Sequence, residues 1–138
     1  MKKVIVRAPA LSMSGYGEQA RFVLKALQLN QHKFDVFIED INWGKSGSII
    51  SDKHDIRWIK SRIFARDVYH EQCKKQNIEP LYDLSIQITI PNEWKKMATL
   101  DIGHTAGIEC DRVTPEWVYF GNQVDKIITI SEHSKNVY

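Results

Sequence analysis

Short apolar segments rich in β-branched residues recur along this chain, and the stretches between them are long enough to cross back over a sheet. Val4-Ile5-Val6 is a continuous apolar run that breaks at Pro9, the pattern of a strand buried on both faces. Phe34-Asp35-Val36-Phe37-Ile38 makes a second strand ending in Glu39-Asp40. Leu84-Ser85-Ile86-Gln87-Ile88-Thr89-Ile90 alternates strictly between apolar and small polar residues, which predicts a strand that ends at Pro91. A shorter strand is expected from about Thr99 to His104, and Lys126 to Ile130 makes a fifth.

The intervening stretches carry helical spacing. Ala20, Val23, Leu24 and Leu27 share one side of a helix, with Glu18, Arg21, Lys25 and Gln28 opposite. Ile56, Ile59, Ile63, Phe64 and Val68 keep the same spacing in a unit running to about Gln76, with Asp52 or Asp55 as its N-cap and Pro80 closing it. Thr114-Pro115-Glu116 reads as N-cap, first-turn proline and first-turn acid, and Ser131 to Ser134 begins a last helix that runs to Tyr138. Strands alternating with helices require a mostly parallel sheet, because parallel neighbours need crossover connections. The expected fold is therefore α/β: a single Rossmann-like domain with about five strands and helices on both faces, which suits 138 residues. The stretch from Ile41 to Ser51 is rich in glycine and serine and predicts a mobile loop, with Trp43 as unusual company.

Charge excludes some functions. Nineteen Lys and Arg against seventeen Asp and Glu give a net charge of +2, and the paired lysines are scattered, so no nucleic-acid partner is expected. Cys73 and Cys110 lie far apart without a CxxC, which predicts free thiols and a reducing compartment. The start MKKVIVRAPA has an apolar core too short for an export signal, and no run approaches the roughly 18 apolar residues of a membrane span. A cytoplasmic location is the expectation.

Sheets of this kind bind ligands beyond the carboxyl ends of their strands. The candidate segments are thus Ser12 to Gly17, Glu39-Asp40, Asn92-Glu93-Trp94, His104 to Gly107, and Ser131 to Ser134. Gly15-Tyr16-Gly17-Glu18-Gln19-Ala20 matches GxGxxA, with Glu39 or Asp40 about twenty residues on, but Pro9 through Ser14 separate the strand from Gly15. That spacing argues against a dinucleotide loop, in which the first glycine ends the strand. Backbone N–H groups at the helix start still favour an anion, and a plain turn is the alternative. His104, beside Gly103 and Gly107, could act as a hydrogen-bond donor or general base, or be structural. His70 and Cys73 are one helical turn apart but lack further metal ligands at suitable spacing, and Ser131 and Ser134 lack a nucleophile elbow, so a helix cap is the expected job of Ser131.

Ile102-Gly103-His104-Thr105-Ala106-Gly107-Ile108-Glu109, Asp111-Arg112-Val113, Pro115-Glu116-Trp117, Asp125-Lys126-Ile127-Ile128 and Ser131-Glu132-His133-Ser134-Lys135 together resemble the amino-terminal domain of GT-B-fold glycosyltransferases. The retaining group that uses nucleotide-activated sugars is the nearest match. Gly15-Tyr16-Gly17 leading into a helix is similar to that domain's glycine loop, and Ile90-Pro91-Asn92-Glu93-Trp94 also fits. The resemblance is strongest from residue 84 onward and weakest between Gly44 and Glu79.

The resemblance implies a bilobal enzyme whose amino-terminal half mainly holds the acceptor and whose carboxyl-terminal half holds the nucleotide-sugar donor, a co-substrate rather than a cofactor. It implies that Gly15, Tyr16 and Gly17 approach the donor diphosphate and acceptor, and that His104 reaches the transferring sugar as the candidate catalytic residue. Asn92, Glu93, Thr105, Glu109, Ser131, Glu132, His133 and Ser134 would line the cleft as substrate- or phosphate-binding groups. No DxD triplet is present, so metal independence is expected, with no cofactor. A family chain would continue past Ser134 into a donor domain. The expectation for a chain ending at Tyr138 is that a donor-domain polypeptide or a second copy completes the cleft. The alternative is a noncatalytic module that binds carbohydrate or a partner, and exposed cleft surface would favour self-association.

Overall fold

The structure is a computed structural model, and it describes residues 1–43, 46–51, 53–107 and 111–137. Asp52, Glu109 and Cys110, named above, lie outside the described residues. The chain runs β1 (Lys2–Ala8), α1 (Gly15–Leu29), β2 (Phe34–Asp40), α2 (His54–Lys75), β3 (Leu84–Ile88), a short 3-10 turn (Pro91–Glu93), β4 (Leu100–Thr105), α3 (Pro115–Gly121), β5 (Lys126–Thr129) and α4 (Glu132–Val137). The five strands form one all-parallel sheet in the order β2-β1-β3-β4-β5. The α/β Rossmann-like expectation holds. Among the described residues no helix is long and apolar enough to cross a membrane.

β1 lies inside the sheet, between β2 and β3, and buries apolar side chains on both sides. Val4, Val6 and Ala8 point to one face and are fully buried with Val36, Ile38 and Ile88, under Ala20, Leu24 and Leu27 of α1. Ile5 points to the other face and packs with Phe37 and Tyr82, against Ala65 and Tyr69 of α2. The first turns of α2 contribute Ile56 and Ile59 to the α1 side, so this helix passes round the β2 edge and serves both cores. Each such aliphatic side chain contributes about 1.5–3 kcal/mol when fully buried.

The alternation in β3 has a different outcome from the usual wet and dry faces. Ser85 and Gln87, on the polar side, are fully buried, as is Asp101 of β4. They bind an irregular segment that covers this face where no helix does. Gln87 Oε1 accepts from the Lys95 amide (3.0 Å) and Gln87 Nε2 donates to the Lys95 carbonyl (2.6 Å). Asp101 Oδ1 accepts from Ser85 Oγ (2.6 Å) and from the amides of Met97 and Ala98 (3.0 Å each). Lys96 Nζ lies 2.8 Å from Asp101 Oδ2, and this bond to the carboxylate holds the ammonium pKa above its ordinary value. The same covering segment brings the buried indole of Trp94 flat against Gly103, leaving no room there for a Cβ.

Some local expectations are corrected. Asp55 does not cap α2: Lys53 occupies that position without a side-chain bond, and Asp55 sits in the first turn, ion-paired with Lys25 of α1 at 2.8 Å. Gln28 is buried rather than on a solvent face, because α2 lies beside α1 there. β3 ends at Ile88, since Pro91 starts the 3-10 turn. The glycine- and serine-rich stretch turns back on the loop before α1: Ser48 bridges Ser12, the Met13 amide donates to the Gly47 carbonyl (2.7 Å), and the Ile49 amide donates to the Leu11 carbonyl (2.8 Å). The Thr114 cap of α3 is present, its hydroxyl accepting from the Trp117 amide. Cys73 is a buried free thiol, and His70 Nε2 meets the Tyr82 hydroxyl at 2.7 Å.

Asp101→Ala would strand the Ser85 hydroxyl and two amides, so a loss of about 3 kcal/mol in chemical denaturation is expected. Lys96→Ala should cost clearly less, because its ammonium remains largely in water.

Candidate functional site

In this strand order the direction of winding reverses between β1 and β3, which places the binding crevice beyond the carboxyl ends of the central strands. A hollow of about 400 Å³ lies there, lined among others by Gly15, Tyr16, Trp43, Ile88, His104 and Ile130. A larger groove of about 650 Å³ lies near Lys3, Tyr82, Asp83 and Thr99, at the opposite, amino ends of the strands.

The wall formed by α1 depends on how the chain arrives. Six residues, Pro9 to Ser14, separate β1 from α1, so the tight dinucleotide-type turn is not made. Arg21 fixes this connection from within the helix, its Nη1 donating to the carbonyls of Ala10 (2.9 Å) and Ser12 (2.7 Å). Ser14 caps α1 by accepting from the Gly17 amide (3.1 Å). A Cβ at Gly17 would strike the Ser12 and Pro9 carbonyl oxygens, whereas one at Gly15 would meet open space. Glycine at 17 is thus a packing requirement, and at 15 it is not. Glu39, the acid a dinucleotide ribose would need, is held by Arg7 (2.8 Å) and Arg66 (3.1 Å), while Asp40 accepts from the Leu11 amide (3.3 Å).

Tyr16 joins this wall to the end of β4. Its hydroxyl shares a hydrogen bond with Thr105 Oγ1 (3.0 Å) and accepts from the Ala106 amide (3.2 Å), while Thr105 Oγ1 also accepts from the Gly107 amide (3.1 Å). Trp43 packs edge-on to Tyr16 with ring centroids 5.0 Å apart. Gly107 adopts φ +78°, the left-handed region, with Ser134 against its Cα. Ser134 donates to the Ala106 carbonyl (3.5 Å), and Ser131 Oγ caps α4 by accepting from the Ser134 amide (3.1 Å). Both serines therefore buttress the β4 loop.

His104 is buried between Ile88 and Ile128 of the neighbouring strands, and its Nδ1 has no hydrogen-bond partner among the described residues. Burial pushes its pKa below the usual 6.5, so the imidazole is neutral at pH 7 and keeps one donor and one acceptor nitrogen.

The sequence-derived candidates divide. Gly15, Tyr16 and His104 face the hollow, Thr105 is tied to Tyr16, and Gly17, Ser131 and Ser134 support the surrounding loops. Glu132 is exposed with Lys135 3.5 Å away, and His133 is exposed on the same turn. Asn92 and Glu93 stand in the 3-10 turn after β3, away from the hollow lining. The Glu93 carbonyl accepts from Arg7 (2.8 Å), and Asn92 Oδ1 and Glu93 Oε2 are buried without hydrogen-bond partners among the described residues. Trp43, Ile88 and Ile130 were missed as lining residues. Only the isolated tryptophan in a glycine- and serine-rich stretch signalled one of them. Among the described residues no three His, Cys, Asp or Glu side chains gather as a metal set, and no Asp, Glu, Lys or Arg lines the hollow.

These elements define the class as a doubly wound α/β domain with a strand-end hollow of aromatic, aliphatic and imidazole groups. No protein-family model, curated protein or solved structure matches the chain.

Gly17→Ala should lose about 3 kcal/mol through overpacking against backbone, whereas Gly15→Ala should stay within about 0.5 kcal/mol of the parent. Paired thermal melts check this. A second expectation concerns acid. An unfolded chain protonates His104 near 6.5 while the folded one resists, so stability falls as pH drops through that value. His70, also lowered, first by burial and then by Arg66, acts in the same direction. Denaturation midpoints measured between about pH 7.5 and 5.5 should decline, and His104→Gln should flatten part of that slope.

Proposed function

We propose that this chain is the acceptor-side half of a GT-B glycosyltransferase, acting in transfer of a sugar from a nucleotide-sugar donor. The supporting observation is convergence. Gly15 to Gly17, His104 to Gly107 and Ser131 to Ser134 carry the resemblance, and they meet at one end of the sheet through the Tyr16–Thr105 and Ser134–Ala106 bonds. His104 stands beside that junction as the candidate group facing the reacting sugar.

Sugar transfer also needs groups that stabilise the departing diphosphate and the developing positive sugar. Among the described residues the hollow offers no charged side chain for either. The donor-binding wall is accordingly assigned to another domain, a partner chain or a second copy. A noncatalytic carbohydrate- or partner-binding module is the second reading, favoured by one feature: no described carboxylate stands by His104 to raise its basicity.

The test is an assay with a panel of nucleotide sugars and acceptors, with and without candidate donor domains. Transfer is expected only when a donor half is present, and His104→Ala should reduce it about 10²-fold. Turnover by the isolated chain would remove the need for a second half. No transfer in any combination, with glycan binding that survives His104→Ala, would establish the module instead.

A further inference from the structure

One face of the sheet is left bare toward β5. By register and by the alternation of strand side chains, Leu84, Ile86 and Ile88 share a face with Leu100, Ile102 and His104 and with Lys126 and Ile128. α1 covers β1 and β3 on this side, and α3 serves the opposite face, where Gly121 comes up against the Ile127 side chain. Leu100, Ile128 and Ile130 remain 36%, 45% and 59% exposed, with Ile86 and Ile102 half-buried beside them. Parallel sheets are as a rule covered on both faces, because both carry apolar side chains. The result is an aliphatic trough running along the strands beside α1, with the strand-end hollow at its carboxyl end and Lys126 as its one charged position.

The width of the trough selects what fits it. Neighbouring strands lie about 4.8 Å apart, so β3 to β5 spans about 10 Å, the diameter of one helix. On its solvent side α1 carries an apolar stripe: Phe22, Ala26 and Leu29 follow one another at i, i+4 and i+7, with Phe22 64% and Leu29 71% exposed. The charges flanking that stripe are already paired, Glu18 with Arg21 and Lys25 with Asp55.

We propose that two copies of this chain associate about a two-fold axis running along the strand direction, each laying the Phe22–Leu29 stripe of α1 over the bare face of β3, β4 and β5 of the other. The trough lies next to α1, so one rotation places both helices in a single layer between the two sheets, and the contact closes on itself. Each protomer contributes a helix face and a sheet face. A fifteen-residue helix is about 22 Å long and about 10 Å wide, and two such contacts bring the buried area to the order of the roughly 800 Å² per partner found in stable interfaces. A foreign helix would cover the trough alone and leave the α1 stripe in water, whereas a second copy buries both apolar surfaces at once. This interface does not depend on the sugar-transfer reading.

Sedimentation of the purified chain from micromolar to near-millimolar concentration reads the association, and a dimer is expected. Ile128→Lys alters the trough and Phe22→Glu alters the stripe. Both side chains are exposed, so the fold is retained, which far-UV circular dichroism checks. Each variant alone should weaken dimerisation about tenfold or more. Mixed together they should recover it, because in the mixed dimer the unaltered helix of one copy meets the unaltered trough of the other, and the introduced carboxylate and ammonium meet in the second contact. The proposal is overturned if the parent chain stays monomeric across the range, if either folded variant associates as tightly as the parent, or if mixing the two restores nothing. Should Ile128→Lys fail to fold, Ile130→Lys, just outside β5, takes its place under the same outcomes.

Discussion

β1 is paired on both edges and buries Val4, Val6 and Ala8 on one face and Ile5 on the other, so β2, β3, α1 and α2 are all placed around it. Parallel strands cannot be joined by tight turns, and each return passes over a face of the sheet. α1 covers the side of Val4, Val6 and Ala8, and α2 is long enough to begin on that side and finish against Ile5 and Phe37 on the other. The reversal of winding between β1 and β3 follows from this arrangement and leaves the crevice in which the hollow lies.

Beyond β1 the second face is closed differently. The segment 94–98 forms no strand or helix, and its Lys95, Met97 and Ala98 amides are satisfied by Gln87 and Asp101 from the sheet. Three buried polar side chains thus substitute for the apolar stripe of a helix. This solution works only when complete, because a buried carboxylate or amide without partners costs more than its bonds return. It also fixes Trp94 over Gly103, one residue before His104, so the closing of one face sets the strand that carries the candidate catalytic group on the other.

The hollow is built by long-range ties rather than by a local motif. Tyr16 and Thr105 are 89 residues apart, and Ser134 reaches Ala106 across 28. Trp43 enters through the bridge between Ser12 and Ser48. Each tie is a single hydrogen bond or ring contact of modest strength, and their number around one point holds the loops in register. The Arg21 bonds to two carbonyls explain why a six-residue connection, longer than a dinucleotide turn, still delivers the α1 start to the same end of the sheet.

The strands, the helices and the parallel architecture were legible in the residues, because burial on one or two faces imposes a period on the sequence: Val4-Ile5-Val6 reads as doubly buried, and Thr114-Pro115-Glu116 reads as a helix start. His104 and the Gly15 to Gly17 segment were legible as strand-end candidates for the same reason, since their chain positions follow from the strand boundaries. The burial of Ser85, Gln87 and Asp101 was not, because alternation reports two faces without saying what covers the second. Nor could the sequence separate Gly17, pressed against two carbonyls, from Gly15, which faces open space, or bring Trp43 to Tyr16. Periodicity is a local property that the chain carries by itself, whereas close approach, polar satisfaction and the lining of a hollow depend on which distant segments meet, and only the tertiary structure decides that.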